Sequence, residues 1–160
     1  HGMFDQLTQK TVSISLKTYK SFELSGITYR FVKTKPDYFF GWQEVQIESR
    51  TARIALPEKS LIDMVNFHKS QYSIDLVIEK LIAHKNDLDL NRLNDYLSKY
   101  SLTTIKSFGL IFDLSGIDSY AMQKLIKSRQ GVSWMLPGDN KFNAKWRLYY
   151  RDYFDKYKTT

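Results

Sequence analysis

Residues 52–63 read Ala52-Arg53-Ile54-Ala55-Leu56-Pro57-Glu58-Lys59-Ser60-Leu61-Ile62-Asp63, and within them the hydrophobic period changes. Before Pro57 the apolar positions Ala52, Ile54 and Leu56 alternate, which is the signature of a half-buried strand. After it, Leu61, Ile62 and Val65 share one helical face with Glu58, and Pro57 suits a first helical position, where its missing N–H costs nothing. Leu56 stands where a polar cap is preferred.

Upstream the period is two. Val12, Ile14 and Leu16 alternate, as do Ile27, Tyr29 and Phe31, then Val45 and Ile47. Ser25-Gly26 and Phe40-Gly41 supply turn chemistry between the runs. Four short strands are expected, mostly antiparallel, because the gaps are too short for helical crossovers.

Downstream the period is 3.6. Ser73 is expected to cap a second helix with an apolar stripe of Ile74, Val77, Ile78, Leu81 and Ile82. Asp75 would lie in its first turn and His84-Lys85 in its last, complementing the helix dipole. Asp89 caps a third helix, with Leu88 and Leu93 placed as a hydrophobic staple. Ser101 and Asp118 open two more, with Ser115-Gly116 between them and Gly131 at the end. Gly109 falls inside a helix at a cost of about 1 kcal/mol, which points to a close packing contact there. The last segment returns to strands after a turn at Pro137-Gly138. From Phe142 to Arg151 the pattern alternates: Phe142, Ala144, Trp146, Leu148 and Tyr150 are assigned to the core, and Asn143, Lys145, Arg147, Tyr149 and Arg151 to the outside. The fold class is α+β: N-terminal antiparallel strands, about five central helices, and a C-terminal strand or hairpin. No repeat or Pro/Ser-rich linker divides the 160 residues, so 1–160 is expected to be a single domain.

Charge narrows the function. The net charge is +7. Residues 1–56 carry a surplus of three positive charges, residues 57–100 a deficit of one and residues 101–160 a surplus of five. Such a field steers polyanions toward the protein. Lys124, Lys127 and Arg129, with Lys145, Arg147, Tyr149 and Arg151, are read as one DNA-contacting surface, since arginine and tyrosine hydrogen-bond phosphate well. Lys33, Lys35, Arg50 and Arg53 are read as a second patch.

Catalytic patterns are sparse. With no cysteine, thiol chemistry and disulfides are excluded, and a reducing, cytoplasmic setting fits. His1, His68 and His84 have no partner at metal-ligand spacing, and neither a metal nor a cofactor is expected. No Gly-x-Ser-x-Gly elbow or glycine-rich phosphate loop is present. Asp37 followed by Glu44-Val45-Gln46 loosely matches a metal-dependent nuclease, but Gln46 stands where the stabilising lysine belongs. The simpler reading makes Glu44, Gln46 and Glu48 a solvent face. No apolar run approaches the roughly 20 residues of a membrane span, so no membrane partner is expected.

Residues 52–63 also resemble the "A-x-P-E-K-x-L-x-D" strand-to-helix segment of AbiEi-type antitoxins, from bacterial type IV toxin–antitoxin (abortive infection) systems. Further matches follow in the family's order. His1-Gly2-Met3 with Gln6 resembles "H-G-L-T-x-Q", and Ile27–Val32 with Phe39-Phe40-Gly41 resembles the next strand and turn. Leu88-Asp89-Leu90 through Tyr96, then Gly109-Leu110-Ile111, resemble "L-D-x-x-x-L-x-x-Y" and "L-G-Y-L-L". Leu136-Pro137 with Asn143-Ala144-Lys145-Trp146-Arg147 resembles the closing "L-D-P…N-x-K-W". Phe108 departs from the basic-then-leucine pair common before the family's glycine, and Pro137 lacks the preceding aspartate.

The resemblance covers most of the chain. It implies a non-catalytic domain that acts as an antitoxin and phage-defence transcriptional regulator. Operator DNA would be held weakly through phosphates, and a nucleotidyltransferase-like toxin countered without a stable complex. Members of the family carry an N-terminal winged-helix DNA reader; no such module fits before His1, so the chain is expected to be the C-terminal effector domain alone. Two other readings remain: a protein-interaction module that neutralises a partner, and a degenerate metal-dependent nuclease.

Overall fold

In the computed structural model of this chain, residues 10–126 and 131–158 are described. Strands come first, five α-helices follow among the described residues, and strands return at the end, so the fold is α+β. Contacts gather the chain into two compact units, His1–Ile54 and Ala55–Thr160. Among the described residues no helix is long and apolar enough to cross a membrane.

The first unit holds two small sheets. Strands β1 (Lys10–Ser15), β2 (Phe22–Leu24) and β3 (Ile27–Lys33) are ordered β1-β3-β2. Ser25 and Gly26 both take positive φ, 52° and 75°, the two-residue reversal whose twist suits a hairpin. Leu24 therefore pairs with Ile27, antiparallel. The pairing of β1 with β3 is parallel, Lys10 opposite Thr28 through Ser15 opposite Lys33, which corrects the expected antiparallel arrangement. Gap length misled because β2 is hidden within it: two reversals return the chain to its first direction without a helix. A short 3₁₀ turn (Pro36–Tyr38) precedes β4 (Trp42–Ile47) and β5 (Arg50–Ala55), the second sheet. Gln46 Nε2 donates to Thr51 Oγ1 at 2.8 Å, and Arg53 meets Glu44 at 3.4 Å. Those partners run in opposite senses, as a hairpin requires.

The apolar core belongs to the second unit. Helix α1 (Pro57–Phe67) starts as its sequence dictates, with Pro57 at N1 and no side-chain cap from Leu56. Helix α2 (Gln71–His84) is capped by Ser70, whose Oγ accepts from Ser73 N at 3.1 Å. The expected cap at Ser73 is thus one turn late, and Asp75 lies beyond the first turn. Asp89 caps α3 (Leu90–Leu97) and Ser101 caps α4 (Leu102–Leu114), as expected. Helix α5 is described over Tyr120–Ile126; its expected end before Gly131 lies outside the described residues.

Helix α4 is the hub. It contacts α1, α2, α5 and the closing strands, and nearly every residue from Thr104 to Leu114 is buried. Its one gap is Gly109, where a Cβ would lie within 2.5 Å of three indole atoms of Trp146. The mid-helix glycine serves the close contact its sequence position implied.

Polar groups lock α1 beneath. Lys59 is fully buried and donates to both Asp63 oxygens at 2.6 and 2.5 Å, while Tyr100 donates to Asp63 Oδ1 at 2.7 Å. Burial pushes the Lys59 ammonium down and the Asp63 carboxyl up, each against the attraction of the other. Glu58, also buried, accepts from Asp89 N at 2.8 Å, tying α1 to the start of α3. The Pro-Glu-Lys…Asp segment is therefore a structural clasp.

Candidate nucleic-acid interface on the C-terminal sheet

Three short strands close the second unit: β6 (Ser133–Trp134), β7 (Lys141–Asn143) and β8 (Leu148–Tyr150), ordered β6-β8-β7. The expected run from Phe142 to Arg151 is a hairpin. Asn143 pairs with Leu148, and residues 144–147 turn between them. Asn143 Oδ1 accepts from Trp146 N at 3.0 Å, Arg147 N donates to Ala144 O at 3.3 Å, and Arg147 takes φ +49°. The turn resets the alternation. Trp146, Leu148 and Tyr150 face inward as expected, but Phe142 and Ala144 do not; Phe142 is 45% exposed.

The turn seats Trp146 against Gly109, and Asp113 organises what surrounds it. Its Oδ2 accepts from Trp146 Nε1 at 2.7 Å. Its Oδ1 accepts from Lys145 Nζ at 2.7 Å and from Ser119 Oγ at 2.6 Å. Lys145 is thereby paired with a half-buried carboxylate. Arg151 is paired likewise: its Nε donates to the buried Asp139 at 3.1 Å, and its other nitrogens to Gln71 and the Pro137 carbonyl. Asp139 in turn accepts from Leu136 N at 2.6 Å, holding the Pro137-Gly138 turn in which Gly138 has φ +79°. Burial raises the Asp139 carboxyl against the pull of that amide and of Arg151.

Arg147 is placed differently. It is exposed, and among the described residues its side chain makes no hydrogen bond or ion pair. Its neighbour is another cation, Lys106 of α4, whose ammonium donates to the Gly131 carbonyl. Burial first, and then the charge of Arg147, push Lys106 below its ordinary value. No acidic residue occurs anywhere between Asp118 and Asp139. Lys124 is exposed and lies over the Tyr120 ring at 4.5 Å. Lys127 and Arg129 lie outside the described residues.

Tyr149 is the centre of a feature that sequence reasoning missed. Trp134 and Phe142 are its direct cross-strand partners. Trp134 stacks on it at 5.1 Å and 12°, and Phe142 leans on it at 5.1 Å and 50°. The three rings form a row across the outer face of the sheet, and Trp134 is 53% exposed. A two-residue strand carries no periodicity, so nothing local to Trp134 announced this.

In the first unit, Lys33, Lys35 and Arg50 are exposed, whereas Arg53 pairs with Glu44 and covers the Trp42 ring at 5.1 Å. Lys33 ends β3 and Arg50 starts β5, strands of different sheets. Glu44 and Gln46, the fragments of a nuclease pattern, are engaged by Arg53 and Thr51. Among the described residues no three His, Cys, Asp or Glu side chains converge as metal ligands.

No family model matches the chain, and neither a curated protein nor a solved structure matches it.

Proposed function

We propose that this chain is a non-catalytic nucleic-acid-binding domain, the effector part of an AbiEi-like regulator that serves as antitoxin in a type IV toxin–antitoxin pair. One observation carries the binding reading: the Arg147 side chain stands exposed and, among the described residues, without a counter-charge, beside a second cation. Fixed positive charge left uncompensated is where a polyanion is held. Lys124 is a second exposed cation of this unit. Contacts of this kind fix the protein on a phosphate backbone without reading bases, so operator choice belongs to a separate reader. The functional partner is a nucleotidyltransferase-like toxin, opposed in the cytoplasm without a stable complex.

Fluorescence anisotropy of the chain with a labelled duplex tests this. Two or three phosphate contacts give a loss of about ten- to fortyfold in affinity between 50 and 200 mM salt. Arg147→Ala weakens binding and lowers the salt slope by about one. Lys145→Ala leaves the slope alone and loosens the fold, because its charge is already spent on Asp113. Binding that ignores salt, or none at low salt, refutes the electrostatic reading. The exposure of Trp134 and Phe142 favours a second reading, a protein-docking module. A toxin that co-purifies stoichiometrically with the chain, and is lost on Trp134→Ala, selects it.

A further inference from the structure

The aromatic row asks for more than phosphate contacts. Trp134, Tyr149 and Phe142 hold one another upright on the outer face of the sheet, while Leu148 and Tyr150 fill the opposite face. Tyr149 covers one face of the indole. Trp134 sits on the edge strand, its other face away from Tyr149, and no other ring stacks on it among the described residues. The row is already ordered, so adding one more flat ring to its end costs little side-chain entropy. Arg147 closes the turn that leads into β8, two residues before Tyr149.

We infer that this face is a stacking platform for unpaired bases, so that the chain binds single-stranded nucleic acid in preference to duplex. The inference rests on the nucleic-acid reading above and narrows it. Two facts favour a single strand. Bases inside a duplex have both faces covered, and only unpaired bases offer a π-face to an aromatic side chain. Lys145 and Arg151, which would have widened a phosphate-binding surface for a duplex, are held by Asp113 and Asp139. What remains outward here, among the described residues, is the rings with the unpaired Arg147 side chain nearby in sequence, a combination that single-strand binders use.

The test measures anisotropy of labelled oligo(dT), oligo(U) and a duplex, each about 20 nucleotides long so as to exceed one binding footprint. The chain is expected to bind a single strand several-fold more tightly than the duplex, with the two homopolymers showing whether DNA or RNA is favoured. Trp134→Ala is expected to weaken single-strand binding about tenfold and duplex binding less than twofold. Arg147→Ala weakens both. If Trp134→Ala disturbs folding, Trp134→Phe and Trp134→Leu decide: stacking requires that Phe retain single-strand affinity and Leu lose it. Equal affinity for duplex and single strand, unchanged by Trp134 variants but reduced by Arg147→Ala, overturns the platform and leaves the electrostatic reading standing. Failure to bind either nucleic acid removes both. Sedimentation showing a dimer that Trp134→Ala dissociates also overturns the platform, making the face a self-association surface.

Discussion

Gly109→Ala reverses the usual effect of such a change. Alanine in place of a helical glycine ordinarily stabilises by about 1 kcal/mol. Here the added methyl would lie within 2.5 Å of three atoms of a fully buried indole, against an ordinary carbon–carbon contact of about 3.5–4 Å. The ring must shift by about 1 Å or more, and overpacking of this severity costs about 3 kcal/mol. Moving the ring also strains the 2.7 Å bond from Trp146 Nε1 to the Asp113 carboxylate, a charged hydrogen bond worth about 1.5 kcal/mol or more. The net expectation is destabilisation by about 3 kcal/mol, which for a chain of this size lowers the melting temperature by roughly 6–12 °C. Urea unfolding followed by circular dichroism measures it, with coincidence of the tryptophan signal checking two-state behaviour. Because the cost lies in one contact, Gly109→Ala combined with Trp146→Leu should be far less harmful than the two single effects added. An unchanged or higher midpoint for Gly109→Ala, or strict additivity with Trp146→Leu, refutes the packing argument.

Lys59→Met strands the Asp63 charge in the interior and is expected to cost about 3–5 kcal/mol, while Lys59→Met with Asp63→Leu recovers much of it; equilibrium unfolding of the four proteins gives the coupling. Asp155 responds to acid. Burial would raise its carboxyl, but hydrogen bonds from Lys141, Lys158 and Tyr150 prevail and hold it at about 2. Its contribution, about 1 kcal/mol after solvent screening, is present above its unfolded value of 3.8 and lost as pH falls toward 2. Melting curves across that range should show wild type and Asp155→Asn converging as acidity rises; a constant gap contradicts the assignment. Ser70→Ala removes the α2 cap and should cost about 1 kcal/mol, Ser70→Gly only a few tenths, measured by the same unfolding.

These variants separate scaffold from surface. Trp146 and Lys145 dock on Asp113 of α4, and the turn that carries these two also presents Arg147 at positive φ. A change that loosens Trp146 is therefore expected to blur the Arg147 position as well. Single substitutions at Arg147 and Trp134 act on binding without touching that assembly.

Local sequence determined whatever depends on neighbours along the chain. The switch from a period of two to 3.6 at Pro57, the caps at Asp89 and Ser101, and the inward set of Trp146, Leu148 and Tyr150 were all legible, because backbone hydrogen bonding and side-chain alternation are short-range. Gly109 announced a close approach, since nothing local justifies a glycine there. Tertiary structure alone decided which lysines and arginines stay available. Lys145, Arg147 and Arg151 look alike in the alternating stretch, yet two of them meet Asp113 and Asp139, carboxylates brought up from distant positions. It also decided the parallel β1–β3 pair, hidden behind a three-residue strand, and the ring row of Trp134, Tyr149 and Phe142. Those features arise where three separate segments converge, and charge or stacking between such segments leaves no period for a sequence to display.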